Sequence, residues 1–234
     1  MLGGVHQGER HSEGVAHEQC LAERLHPRPH EEREEHRQTR VQRRDRGHQV
    51  GLALPDLDEQ LDGVTLLTGI EVDILDDGGL DQTPEMLARL DLVTASVHSK
   101  LKMARGPMTA RMVAAVANPR VNVLGHCTGR LVTGSRGTRP QSDFDARAVF
   151  EACAEHDVAV EINSRPERCD PPDELVELAL EIGCLFAVDS DAHAPGQLEM
   201  KAYGAERAER LGVPLERIIT TWEAERVREW AAPR

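Results

Sequence analysis

The chain has 234 residues, 28 Lys and Arg against 41 Asp and Glu, a formal net charge of −13 and only 3% aromatic side chains. It has no stretch of about 18 apolar residues to cross a membrane, and its first residues lack the apolar run of a secretory signal, so neither is expected. Five scattered cysteines (Cys20, Cys127, Cys153, Cys169, Cys184) form no CxxC pair and point to a reducing, cytoplasmic setting, while the acidic balance argues against a broad nucleic-acid-coating face.

In chain order, the first segment is unlike the rest. Residues 1–50 hold nine basic and nine acidic side chains and seven of the 11 histidines. The whole −13 therefore falls on residues 51–234. The run Pro27–Arg46 is almost wholly Glu, Arg, His and Gln, which cannot bury enough apolar surface to offset its ordering entropy. Residues 1–55 are expected to be disordered or foreign to the domain that follows, and residues 56–234 to form that domain.

From about Pro55 short apolar runs alternate with amphipathic stretches. Val64–Ile70, Leu92–Val97, Val121–Leu124, Val158–Ile162, Cys184–Val188 and Arg217–Thr220 read as strands. Thr83–Leu90, Pro107–Ala117, Asp143–His156, Pro172–Ile182, Gln197–Leu211 and Glu223–Trp230 read as helices. Pro107 and Pro172 suit first turns, Ser142-Asp143 and Asp170 suit N-caps, and Gly183 and Gly212 suit the position just past a helix. Repeated βα alternation implies an α/β fold, either an open wound sheet or a barrel.

Polar residues recur at one kind of place. Glu71 follows the first predicted strand, His98 the second, His126 the third, Asn163 the fourth, and Asp191 and His193 the fifth. In α/β barrels the C-terminal strand ends carry the active site. Three imidazoles and two carboxylates converging there suit Zn²⁺, Mn²⁺ or Fe²⁺. Lys100, Arg130 and Arg165 follow strand ends on the same face and, with Asn163, are candidate phosphate contacts. His156 reads as an ordinary helix-end histidine. Cys127, beside His126, reads more readily as a small buried residue than as a ligand.

Gly69-Ile70-Glu71-Val72-Asp73, Ala95-Ser96-Val97-His98-Ser99, Gly125-His126, Glu161-Ile162-Asn163 and Asp189-Ser190-Asp191-Ala192-His193 occur in the order and spacing of a known family. At these residues the sequence resembles the PHP (polymerase and histidinol phosphatase) domain, over roughly 70% of the chain. It looks most like the PHP modules of bacterial family X DNA polymerases and their stand-alone relatives. The resemblance implies a distorted seven-stranded β/α (TIM-like) barrel with up to three divalent metals at the strand ends. It implies a phosphoesterase that hydrolyses phosphate esters with metal-activated water, at DNA 3′ ends or on small phosphomonoesters. Carried over, Glu71 would bridge two metals, His98 and His126 would complete the second site, Asp191 would ligate the first metal and His193 the third.

The sequence departs from the family at its start. The family opens with a strand ending in HxH and a second ending in Asp-His; neither occurs here, and no HxH lies in residues 1–60. The first two βα units are expected to be absent, leaving an open seam through which copies could self-associate. Fewer metals than three are expected to bind well, and a catalytically impaired remnant is the non-enzymatic alternative.

Overall fold

A computed structural model of the chain describes residues 63–135 and 137–233; the expectation for residues 1–55 falls outside them. Five strands lie among the described residues: β1 (Gly69–Asp73), β2 (Leu92–Ser96), β3 (Val123–Leu124), β4 (Ala159–Asn163) and β5 (Phe186–Asp189). All neighbouring pairs are parallel, and the strands lie side by side in chain order. Helices α1 (Pro84–Leu87), α2 (Arg105–Val116), α3 (Ala146–Glu155), α4 (Asp173–Ile182) and α5 (Lys201–Arg210) follow the five strands in turn, and α6 (Ala224–Ala231) closes the described chain. The α/β alternation read from the sequence is therefore present.

The ends of β2 to β5 shift by at most two residues from the sequence reading, Asn163 becoming the last residue of β4, and two departures are larger. The first strand starts at Gly69 and not Val64, so Glu71 sits inside β1 and does not follow it. The reason is a contact between Thr68 and Asp91. Both the main-chain N–H and the hydroxyl of Thr68 donate to the Asp91 carboxylate, a capping arrangement that ends just where the ladder with β2 begins. The predicted strand Arg217–Thr220 forms two short 3₁₀ turns instead, Leu215–Arg217 and Ile219–Thr221. It touches the sheet through one bridge, Phe186 to Ile218. Here the N–H of Val188 donates to the Thr220 hydroxyl, so a side chain takes the place of a ladder carbonyl.

The strands alternate with a period of two, as half-buried strands do. One face carries Val72, Val93, Ala95, Val160, Ile162, Phe186 and Val188, packed in the main core with Met108, Met112, Val149, Phe150 and Val176 of the helices. Burying Phe150 or Phe186 stabilises the fold by about 2–3 kcal/mol each. At the strand starts the other face is apolar too: Val123, Ala159 and Ala187 cluster with Ile219 against Leu185, Trp222 and Trp230. Two residues further along, the same face turns polar, with Glu161 in β4 and Asp189 ending β5. In β1 and β2 it carries Glu71, Asp73, Thr94 and Ser96. Gly125, two residues past Val123, is required here, because a Cβ would collide with the Ser96 hydroxyl and lie 2.8 Å from Thr94 Cγ2.

The caps also differ. The N-cap of α3 is Asp145, whose carboxylate accepts the Ala148 N–H at 3.2 Å. Ser142 donates instead to the Leu101 carbonyl at 2.9 Å. Asp170, fully buried, accepts from the N–H and the hydroxyl of Thr128, at 3.0 and 2.8 Å. These residues tie the strand-end loops to one another. Gly183 does end α4, with a left-handed φ of 108°.

Candidate metal centre

Three strand-end side chains meet. Glu71 projects from the polar face of β1, His98 lies two residues past β2 and His126 two past β3. The Nε2 atoms of His126 and His98 lie 2.9 and 3.3 Å from the same oxygen, Glu71 Oε1. The two rings meet edge to face, 5.2 Å between centroids. One ligand atom from each of the three side chains lies within 4.8 Å of the others. One carboxylate oxygen and two imidazole nitrogens at this spacing fit a borderline divalent cation such as Zn²⁺, Mn²⁺ or Fe²⁺. His126 is only 3% exposed, and its second ring nitrogen, Nδ1, is buried without a hydrogen-bond partner among the described residues.

The electrostatics favour a charged carboxylate here. Burial works against the ionised Glu71, but hydrogen bonds from His126 and His98 outweigh it and hold the carboxyl well below the usual carboxylate range. The hydrogen bond to Glu71 raises the His98 pKa above its ordinary value, against burial and the positive charge of Arg168. Main-chain contacts fix both imidazoles. The His98 N–H donates to Asp73 at 3.0 Å, and the His126 N–H donates to the buried Glu161 carboxyl. Burial, then the negative charge of Asp189, pushes Glu161 well above the usual range. Asp189 is pushed up to about 6, again chiefly by burial.

Asp191 and His193 stand apart from the three. Asp191 has a left-handed φ of 45°, a conformation that costs about 1–3 kcal/mol for a residue other than glycine. Lys100 and Cys169, on neighbouring strand-end loops, share that conformation. The Asp191 carboxylate lies 3.4 Å from Nε of both Arg165 and Arg168, and 3.5 Å from His193 Nδ1. Arg165 has its donors in use: Nε to the Asp191 carbonyl at 3.1 Å, and the terminal nitrogens to Glu167 and Gln197 at 2.9 Å each. Asn163 is buried and accepts the Arg165 N–H at 3.0 Å. Arg130 donates to the carbonyls of Arg168 and Cys169, at 3.2 and 2.9 Å. Lys100 is exposed and pairs with Asp76. Cys127 is buried in the main core, and His156 caps the end of α3.

Sequence reasoning gave no role to Asp73, Glu161, Asp189 or Arg168. The three carboxyls carried a signal, since each lies an even number of residues from a named polar residue on the same strand or loop: Asp73 from Glu71, Glu161 from Asn163, Asp189 from Asp191. Arg168 carried none.

No protein-family model matches the chain. Among curated proteins it is similar to the DNA polymerase/3′-5′ exonuclease PolX of Bacillus subtilis (strain 168), 31% identical over 154 residues, covering 66% of this chain and 26% of the relative. A probable phosphatase of Vibrio campbellii is 29% identical over 170 residues, covering 68% of this chain and 64% of the relative. The probable phosphatase YcdX of Escherichia coli is 32% identical over 142 residues, covering 57% and 54%. The chain thus spans about a quarter of the polymerase and less than two thirds of either phosphatase. Relatives of these two kinds, together with the ordered strand-end motifs, support a relation of the chain to the PHP (polymerase and histidinol phosphatase) family.

Proposed function

We propose that the chain is a metal-dependent phosphoesterase acting on phosphate esters at DNA 3′ ends, by exonuclease or 3′-end-processing chemistry. The observation that carries this reading is the meeting of Glu71, His98 and His126 beside the arginine-lined Asp191. A divalent cation held by the three would supply Lewis acidity, which eases the ionisation of water and neutralises charge on phosphoryl oxygens. Glu71 stays ionised to receive the cation, and Asp73 and Glu161 hold the two imidazoles in place through their main-chain N–H groups. Asp191 and His193 serve further metals of the same centre, and Lys100, Arg130, Asn163 and Arg165 border the substrate. The reading includes a distorted seven-stranded barrel lacking its first two βα units, a cytoplasmic setting and self-association across the open seam. No helix among the described residues is long and apolar enough to cross a membrane.

A small phosphomonoester is the second reading, favoured by the phosphatase relatives and by the net charge of −13, which repels a long polyanion. The missing HxH favours a third, a metal-binding remnant without activity. One assay separates them: the purified chain with Mn²⁺ or Zn²⁺, on p-nitrophenyl phosphate and on a 3′-recessed duplex. Metal-dependent nucleotide release from the duplex, abolished by His98→Ala, is the expected result. Turnover of p-nitrophenyl phosphate alone selects the second reading, and no metal-dependent turnover of either selects the remnant.

A further inference from the structure

Arg111 of α2 is the largest fully buried side chain among the described residues, 1% exposed. The carboxylates nearest to it, Asp73 and Asp76, each lie 4.0 Å away, too far to accept its hydrogen bonds. Its donors go to two loops instead. Nε donates to the carbonyls of Ile74 and Leu75, at 3.1 and 2.9 Å, and one terminal nitrogen donates to the Ile74 carbonyl as well. These carbonyls lie just past β1. The other terminal nitrogen donates to the Ser99 carbonyl at 3.0 Å, and the fork reaches the Ser99 hydroxyl at 3.2 Å. Ser99 is the residue after His98.

Packing alone does not call for this residue. Met108 and Met112 fill the same side of α2, and a third methionine would add apolar burial without the desolvation cost of a guanidinium. What the rigid fork supplies is a fixed spacing between two loops. The two imidazoles of the metal centre need that to different degrees. The His126 side chain is 3% exposed and held by packing, whereas the His98 side chain is 44% exposed. An imidazole so open to solvent keeps its rotamer freedom unless hydrogen bonds remove it. Asp73 lies on one side of His98: it accepts the His98 N–H at 3.0 Å, and the same oxygen is 3.7 Å from His98 Nδ1 and 4.0 Å from Arg111. Ser99, bonded by Arg111, lies on the other. The ring is thereby turned with Nε2 toward Glu71, at 3.3 Å.

We propose that Arg111 is a positioning residue of the metal centre: by spanning the loop after β1 and Ser99, it holds the half-exposed His98 in register with Glu71 and His126. This rests on the metal-dependent reading of the site but not on any substrate. The test is titration of the full chain with Co²⁺, whose visible absorption reports the number and arrangement of its ligands. Affinity, absorption and melting temperature are measured on each variant. Arg111→Lys keeps the charge and loses the fork; Arg111→Met keeps an apolar filling and loses both.

Folded Arg111 variants are expected to bind Co²⁺ about tenfold or more weakly, with an altered absorption, as loss of a group that orients metal ligands does. Gly78→Ala is the control for stability alone. Gly78 has a left-handed φ of 86°, and a Cβ there would lie 2.8 Å from the Arg111 carbonyl, so the change strains the same loop against α2 but leaves the fork its partners. It should lower the melting temperature and keep the wild-type affinity and absorption. Ser99→Ala, at an exposed residue, removes one partner of the fork and should weaken binding by about two- to threefold, so it answers even if neither Arg111 variant folds. Folded Arg111 variants with wild-type affinity and absorption would overturn the proposal, as would an equal loss in Gly78→Ala or, should neither Arg111 variant fold, wild-type binding by Ser99→Ala. Co²⁺ binding that needs His126 but not Arg111 would sink the proposal alone; no Co²⁺ binding by wild type, or binding indifferent to His126→Ala, would sink the metal-dependent reading and the proposal with it.

Discussion

The strand ends of β1 to β3 and those of β4 and β5 handle charge in opposite ways. On the first side Glu71 has only two imidazoles against it, and three donor atoms face one another with no fixed cation among them. On the second side Asp191 already has two guanidinium groups at 3.4 Å. Among the described residues no ammonium or guanidinium group pairs with Glu71, whereas two guanidinium groups pair with Asp191. A surface divided in this way suits a ligand that must be met by positive charge from two sources, as a phosphate ester is.

Three measurements can break or sharpen that division. The largest effect is expected at His126. His126→Ala removes a ligand and should weaken Mn²⁺ or Zn²⁺ binding by about 100-fold or more in calorimetric titration, whereas Asp191→Asn should change the tightest site by less than about threefold. Equal losses in the two variants would show that both halves hold the same ion and that the division is false.

A change of pH comes next. Glu71 raises the His98 pKa, so below that pKa the metal-free site carries a proton that an arriving cation must displace. Affinity should fall by about tenfold per unit as pH drops through that pKa and level off above it. Calorimetry in buffers of different ionisation enthalpy should register a proton released on binding near the pKa. A flat profile between pH 5 and 8 would mean that His98 is not a ligand.

The smallest effect is expected at Glu161, whose carboxyl accepts the His126 N–H. Glu161→Ala should weaken metal binding by about tenfold or less, and Glu161→Gln, which keeps an acceptor, should restore most of it. A Gln variant as weak as the Ala variant would show that an acceptor for the His126 N–H is not what Glu161 supplies.

Much of the site was legible because strand ends recur at readable intervals. Glu71, His98 and His126, which the structure brings together, each stand near an apolar β-branched run, as do Asp191 and His193, which it leaves apart from them. What the runs hid was their second face. Val160 and Ile162 look like a strand buried on both sides, yet Glu161 between them points to the polar interior, and so does Asp189 after Phe186 and Val188. The first strand was misplaced because Val64–Leu67 is as apolar as the ladder itself, and the Thr68–Asp91 contact that sets the boundary spans 23 residues. The Arg217–Thr220 run is β-branched, but a threonine hydroxyl bonds the sheet there in place of its main chain. Arg111, on an amphipathic helix, and Arg168, in a polar loop, are both buried, and nothing in the sequence shows that the first donates to the carbonyls of Ile74, Leu75 and Ser99.

The chain has two tryptophans, Trp222 and Trp230, and they stand edge to face 6.0 Å apart beneath the apolar floor of Val123, Ala159, Ala187 and Ile219. Arg226 lies 3.7 Å over the first, and the second donates its indole N–H to the Asp157 carbonyl. The molecule therefore carries its own optical label at the strand starts, the end of the sheet away from the metal ligands. Its near-ultraviolet signal and fluorescence follow whether the closing segment stays docked, independently of what occupies the other end. That gives every variant at the strand ends an internal check on whether lost binding is a lost contact or a loosened fold.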